Sequence, residues 1–305
     1  MVKAADRARE IGATAIQIFA DNPTAWRRRA DPPREAPAFR DRLATHGIGP
    51  VAIHAAYLVN LAGPEDDFYE RSIDVLSADM RAAWAFAGRF VNVHIGSHRD
   101  TSVEAGVARV ALGIERVLAQ VEDDPGAPQV VLENAAGSGW AVGVTVDELA
   151  LLADAITARG IPRGRVGFCL DTAHLWGAGY EISRPEIVDA LLDDFDRSIG
   201  LDRLSMIHLN DSKATLGSRA DRHEHIGAGQ IGPEGLGHLL RSSRLAHVPF
   251  YLETPGMDLG YDAINLERAR DLAAGRPLEE LPEAALTIKG SRARGAQPVE
   301  PVETE

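Results

Sequence analysis

Seven short apolar segments, recurring at a regular spacing and separated by helical patterns, constrain this chain more than any other feature. They are Thr14–Ala20, Pro50–Ala55, Phe90–Gly96, Gln129–Ala135, Val166–Thr172, Ser205–Asp211 and Pro249–Thr254. Each is rich in Val, Ile, Leu or Phe, as strands covered on both faces are. Their starts lie 36 to 44 residues apart. Helical patterns fill the gaps at Pro64–Ala87, Val103–Val121, Val146–Arg159, Pro185–Ile199 and Pro233–Ser243, several opening on a cap such as Thr145 or on a proline. Strand–helix alternation at this spacing demands a parallel sheet. In a chain of 305 residues it points to an α/β fold, the (β/α)8 TIM barrel. No GxGxxG turn follows the first segment, which disfavours a dinucleotide-binding sheet. Seven strands are one short of eight, and the chain opens directly in a helix-like segment. The barrel is therefore expected to lack its first strand in the chain as given. Residues 1–275 read as a single catalytic barrel domain. Residues 276–305, rich in Pro, Glu, Gly and Ala, read as a tail, a short helix fading into disorder.

Six of the seven segments end at or near a metal-ligand type: His54, His94, Glu133, Asp171, His208 and Glu253. Active sites of (β/α)8 barrels are built from the C-terminal ends of the strands, so these residues should meet on one rim. A lone strand-end histidine is more often a satisfied polar group than a ligand, and a lone Asp or Glu more often caps the next helix. Six together on a buried rim are costly unless paired or metal-bound. His174 follows Asp171 by three residues, and Asp221 and His223 stand as Asp-x-His in the long loop after the sixth segment. One ion needs about four protein ligands, or three with a water, so five imidazoles and four carboxylates imply two or three ions. Imidazole and carboxylate without thiolate suit zinc first, then manganese or iron, with manganese as the expected substitute. Ions about 3.5–4 Å apart would clamp the attacking and leaving oxygens of a phosphodiester.

Composition adds bounds. Cys169 is the one cysteine, so no intrachain disulfide forms, and a reducing, cytoplasmic setting is expected. No apolar run approaches the roughly 18 residues of a membrane span, and the N-terminus has no apolar stretch of the secretory kind. The net charge of −13 argues against indiscriminate nucleic-acid binding, an objection that bound cations at the site would reduce.

Several stretches carry a family resemblance: AAYLVNLA (55–62), HIGSH (94–98), LENAAGSG (132–139), CLDTAHLWGAGYE (169–181), HLNDSKATLGSRADRHEHIGAGQIG (208–232) and YLETPG (251–256). In these the chain resembles endonuclease IV, the metal-dependent apurinic/apyrimidinic endonuclease of DNA base-excision repair, over most of Thr14 to Leu259. The resemblance implies a (β/α)8 barrel with three zinc ions. One ion would be held by His54, His94 and Glu133. The second would share Glu133 and add Asp171, His208 and Glu253, and the third would take His174, Asp221 and His223. It implies hydrolysis of the phosphodiester 5′ to an abasic site in double-stranded DNA, leaving a 3′-hydroxyl, with Glu133 orienting and activating the attacking group. A nucleoid-associated monomer is the expected form.

The sequence departs from the family in four places. The family's first strand, with its His-Val-Ser, is absent; Ile95 replaces a usual Pro; Ala135 replaces a usual Thr; and Thr24 stands where some members place an Arg that enters the DNA. Tyr57 and Leu58 match the pair that wedges into the duplex. Trp26, Arg27, Arg28 and Arg29, after the first segment, and Lys213, Arg219 and Arg222, in the ligand loop, are candidate DNA contacts. His98, Asn134, Asn210 and Ser212 are expected to orient the ligands. Two other readings stand beside this one. A sugar isomerase or epimerase of a related barrel needs fewer ligands and an acid/base pair. An incomplete barrel could bind metal or damaged DNA without turnover.

Overall fold

The computed structural model describes residues 1–31, 33–121 and 126–288. The elements run α1 (Val2–Glu10), β1 (Ile16–Phe19), α2 (Ala36–His46), β2 (Val51–His54), α3 (Asp66–Ala85), β3 (Gly88–His94) and α4 (Val103–Leu118). The middle of the chain gives β4 (Gln129–Glu133), α5 (Val146–Ala158), β5 (Val166–Asp171), α6 (Thr172–Ala178), α7 (Pro185–Ser198) and β6 (Leu204–His208). Then come the two-residue strands β7 (Asp211–Ser212) and β8 (His223–Glu224), α8 (Gly232–Arg241), β9 (Phe250–Tyr251), α9 (Tyr261–Ala273) and α10 (Glu283–Leu286). Seven strands pair in parallel in the order β1-β2-β3-β4-β5-β6-β9. This is the expected barrel with one strand fewer than eight.

Side-chain alternation decides what each strand does. In β2 to β6 one set of positions faces the helices: Ile53, Val91, Val93, Val130, Leu132, Phe168, Leu170 and Ile207 all join the main core. The alternate set faces the barrel axis. Its lower layer is apolar, with Ala52, Phe90, Val131, Cys169, Met206 and Tyr251 packed together. The next inward position along each of β2, β4, β5 and β6 is His54, Glu133, Asp171 and His208. Register sets these side by side, with His94 opposite Glu133 and Asp171 opposite His208. The polar rim is thus the layer directly above a dry one.

No pairing joins β1 to β9 among the described residues. Side chains and helices cross that seam instead. The Tyr251 hydroxyl donates to the Pro50 carbonyl at 3.1 Å. Outside, Arg7 of α1 holds Asp262 of α9 at 2.6 Å, and Arg270 of α9 donates to the Gly12 carbonyl.

Ser102 and Thr145 cap α4 and α5 by accepting from the amides three residues on. Helices α2, α6 and α9 fall outside the sequence expectation. Helix α6 has only seven residues, and α2 buries just Ala36, Phe39 and Leu43, so neither shows a clear apolar stripe. The expected strand Pro249–Thr254 is cut to Phe250–Tyr251. Past Tyr251 the backbone leaves β6, and the Glu253 amide donates to the Asn210 side chain at 2.8 Å. Helix α10 lies in the expected tail, while the expected fade into disorder falls on 289–305, outside the described residues. No described helix is long and apolar enough to cross a membrane.

Candidate metal centre

Glu133, at the end of β4, is the hub of the rim. It is fully buried, with Asn92 Nδ2 donating to its Oε2. Its Oε1 lies 3.2 Å from both His208 Nδ1 and His174 Nδ1. Its Oε2 lies 3.5 Å from His94 Nε2 and 3.8 Å from His54 Nε2. Around this hub the donors form three groups whose ligand atoms lie within 4.8 Å of one another: His54, His94 and Glu133; Glu133, Asp171 and His208; Asp171, His174 and His223. The remaining two of the nine lie alongside. Asp221 reaches His223 Nε2 at 3.0 Å and His174 Nε2 at 3.4 Å. Glu253 lies 3.5 Å from His208 Nδ1. All nine therefore converge. The third group differs from the sequence expectation in drawing in Asp171 beside His174 and His223.

The orientation of the imidazoles tests whether this set suits metal. A ligating histidine uses one nitrogen and anchors the other by hydrogen bond. His54 Nδ1 is anchored on the Ala55 carbonyl at 2.7 Å, His174 Nδ1 on the Asn134 carbonyl at 2.9 Å, and His223 Nδ1 on the Glu253 carbonyl at 2.8 Å. His208 Nε2 is anchored on Gln17 Oε1 at 3.0 Å. In each case the other nitrogen faces the carboxylates. His223 Nε2 is buried and makes no hydrogen bond of acceptable geometry, a donor position that an ion would satisfy. His94 is the most open of the five, with its side chain 39% exposed.

The electrostatics agree. Burial opposes ionisation of Glu133, but His208, His94 and hydrogen bonds from His174 and His208 hold its carboxyl well below the usual range. Burial likewise works against charge on His174 and His208. The facing carboxylates, Asp171 and Asp221 for the first and Glu253 and Glu133 for the second, with Cys169 adding to the pull on His208, carry both well above the usual imidazole value. His223 is pushed up to about 9 by Asp221 and Asp171 against the cost of burial. Imidazoles held this strongly in the charged form report a negative potential at the rim, the potential that draws a divalent cation. Oxygen and imidazole donors with no thiolate fit zinc or manganese.

Two residues essential to this geometry were absent from the sequence expectation. Gln17 on β1 accepts from His208 and donates to Glu253 Oε1 at 2.6 Å. Asn92 on β3 donates to Glu133. The available signal was a lone amide at an inward position of an apolar strand, costly to bury without partners. Of the residues expected to orient ligands, Asn134 accepts from the Asp171 amide at 2.6 Å, and Asn210 donates to Asp171 Oδ2 at 2.7 Å. Asp171 also caps α6 by accepting from the His174 amide at 2.8 Å, which fixes the spacing of two donors.

The candidate DNA contacts divide into two kinds. Tyr57 stands 47% exposed beside His54 and His94, with ring centroids 5.4 and 6.1 Å apart, and Leu58 beside it is half-buried. Arg27, Arg219 and Arg222 are exposed. The others have partners within the chain. Trp26 is half-buried against the core and 5.9 Å from the Phe68 ring. Arg28 is half-buried and lies 3.4 Å from Asp79, and Arg29, though exposed, lies 3.5 Å from Asp21. Lys213 donates to the Ile288 carbonyl at 3.0 Å and lies 3.5 Å from Glu224.

Comparison with known proteins bears on the fold and the family. Residues 5–281 match the family described as Xylose isomerase-like TIM barrel. A protein named "Probable endonuclease 4" from Methanoculleus marisnigri is 40% identical over 273 residues, covering 89% of this chain and 94% of its own. One of the same name from Natronomonas pharaonis is 41% identical over 263 residues, covering 86% and 91%. The crystal structure of endonuclease IV from Thermus thermophilus superposes with a TM-score of 0.76 at 38% identity, covering 90% of this chain and 94% of that one.

Proposed function

The chain belongs to the endonuclease IV family of xylose isomerase-like TIM barrels, and from that membership we propose that it is a DNA-repair endonuclease that hydrolyses the phosphodiester 5′ to an abasic site, leaving a 3′-hydroxyl. The observation that carries this reading is the convergence of nine oxygen and imidazole donors on one rim around Glu133. That is more than one ion requires and more than an isomerase of one or two ions would use. We assign three zinc ions to these donors, with manganese as substitute. His54, His94 and Glu133 hold the first. Glu133, Asp171, His208 and Glu253 hold the second, and His174, Asp221 and His223 the third. Ions bound there would lower the pKa of water and neutralise charge on the phosphate and the leaving oxygen.

The chain's own residues do the rest. Glu133, held as a carboxylate, orients and activates the attacking water. Asn92 fixes that carboxylate from below. Tyr57, exposed at the rim, and Leu58 beside it fill the space left in the duplex by displaced nucleotides. Arg219 and Arg222 position the backbone phosphates. Residues 1–275 act as one catalytic barrel, monomeric and cytoplasmic, working on double-stranded DNA at the nucleoid.

A duplex carrying a tetrahydrofuran abasic analogue tests the reading. The zinc-loaded protein should nick it 5′ to the analogue. Strong chelation should abolish nicking, and Glu133→Gln should reduce it by at least about 100-fold. An intact duplex after incubation with folded, metal-loaded protein would overturn the reading.

A further inference from the structure

The loop that carries Asp221 and His223 is held from two sides. Its inner side is pinned to α6, where Trp176 Nε1 donates to the Ala214 carbonyl at 2.9 Å and the Arg219 amide donates to the Gly177 carbonyl at 2.9 Å. Its base is gathered by Asp211, which accepts from the amides of Gly229, Ile231 and Gly232. The outer flank, residues 224–226 next to His223, is buried, yet its cover comes from the far end of the chain.

Three side chains make that connection. His225 is fully buried, accepts from Asn265 Nδ2 at 2.8 Å, and with its other nitrogen donates to the Ala285 carbonyl at 3.2 Å. Lys213, paired through its backbone amide with the Arg222 carbonyl at 2.8 Å, donates its ammonium to the Ile288 carbonyl. Arg268 of α9 is 7% exposed and bridges the two segments, its Nε donating to the Ile226 carbonyl at 2.6 Å and its Nη1 to the Glu279 carbonyl. Apolar contact completes the seam. Ala285 is fully buried, and Leu278 packs so close to Gly227 that a Cβ there would lie 2.4 Å from its Cδ1.

We propose that residues 276–288 are a strap that sets the position of Asp221 and His223, with His225, Lys213 and Arg268 as its attachment points and as positioning residues for the metal centre. This rests on the assignment of Asp221 and His223 as zinc ligands given above. The physical argument is one of tolerance. A metal site holds its ion tightly only when ligands stay within about 0.5 Å of productive geometry. His174 sits on a capped helix and Asp171 on a strand end, whereas Asp221 is 50% exposed on a loop. Asp221, the donor with the least support of its own, lies in the loop that the C-terminal segment braces.

The test compares the full chain with a truncation ending at Ile288, a truncation ending at Gly275, and the variants Lys213→Met, Lys213→Arg and His225→Phe. Amide hydrogen exchange over residues 221–231 of the metal-free proteins is the first measurement. Loss of the most weakly held zinc to a chromophoric chelator is the second. The Ile288 truncation should match the full chain in both. The Gly275 truncation, Lys213→Met and His225→Phe should speed exchange in 221–231 at least tenfold while β3, β4 and β5 keep their protection. They should also release one zinc at least tenfold faster, and Lys213→Arg should restore the slow values. Unchanged exchange in 221–231 in the two point variants would overturn the strap, even if the Gly275 truncation unfolds. Exchange that rises as expected in the variants, together with a full chain that binds no zinc, would leave the strap standing and sink the metal assignment instead.

Discussion

Gln17 Nε2 donates to Glu253 Oε1 at 2.6 Å while Gln17 Oε1 accepts from His208 Nε2 at 3.0 Å, so one amide on β1 fixes two donors on the far side of the barrel's unpaired seam. The side chain does what no ladder hydrogen bond does at that place. It sets the orientation of the His208 ring, leaving Nδ1 to face Glu133, Asp171 and Glu253.

Replacing Gln17 by Leu should therefore weaken metal binding without removing a ligand. Loss of a partner that orients a ligand costs roughly 10–100-fold in metal affinity. Competition against a chelator of known strength reads the change, and an affinity equal to that of the unaltered chain would refute the role given to Gln17.

Tyr57→Ala should leave metal content unchanged and weaken binding of an abasic duplex. Loss of an aromatic contact to a base costs about 1–3 kcal/mol, so an affinity loss of about tenfold is expected by fluorescence anisotropy. Equal affinity would return Tyr57 to the role of a rim side chain packed on Phe19 and His54.

Asp79 offers a pH dependence away from the metal centre. It is buried, accepts from the Ala56 amide at 3.2 Å and lies beside Arg28. Burial, only partly offset by Arg28, pushes its carboxyl up to about 6 from an ordinary value of 3.8. A raised carboxyl binds its proton more tightly in the folded state. Stability from this group is thus fully present below about pH 4 and is lost as pH rises towards 6. The loss is on the order of 3 kcal/mol, because each tenfold gain in proton affinity on folding is worth about 1.4 kcal/mol. Urea unfolding of the unaltered chain and of Asp79→Asn, followed from about pH 4 to about pH 7, should give curves that diverge by that amount across the window. Parallel curves would show that Asp79 ionises normally.

Much of the site was legible before any fold was known, and the reason is the barrel itself. Strands covered on both faces write themselves as apolar runs, so a histidine or carboxylate at the end of such a run stands out. His54, His94, Glu133, Asp171 and His208 each occupy the last position of a strand. Glu253 was legible as a residue type, though its strand ends three residues earlier than the run implies. The loop donors Asp221 and His223 were legible by spacing.

What stayed hidden is what depends on convergence across the chain. Gln17 and Glu253 are 236 residues apart, and no local pattern announces that an amide on the first strand serves a donor beyond the last. Lys213 and Arg28 read as candidate DNA contacts in sequence, and only the fold supplies the Ile288 carbonyl and Asp79 beside them. The sequence determined the inventory, because residue type and strand period follow from local chemistry. The tertiary structure decided which nitrogen of each histidine faces the rim, which carboxylate becomes the hub, and which distant segment braces the ligand loop. Those depend on hydrogen bonds that exist only once strands far apart in the chain stand side by side.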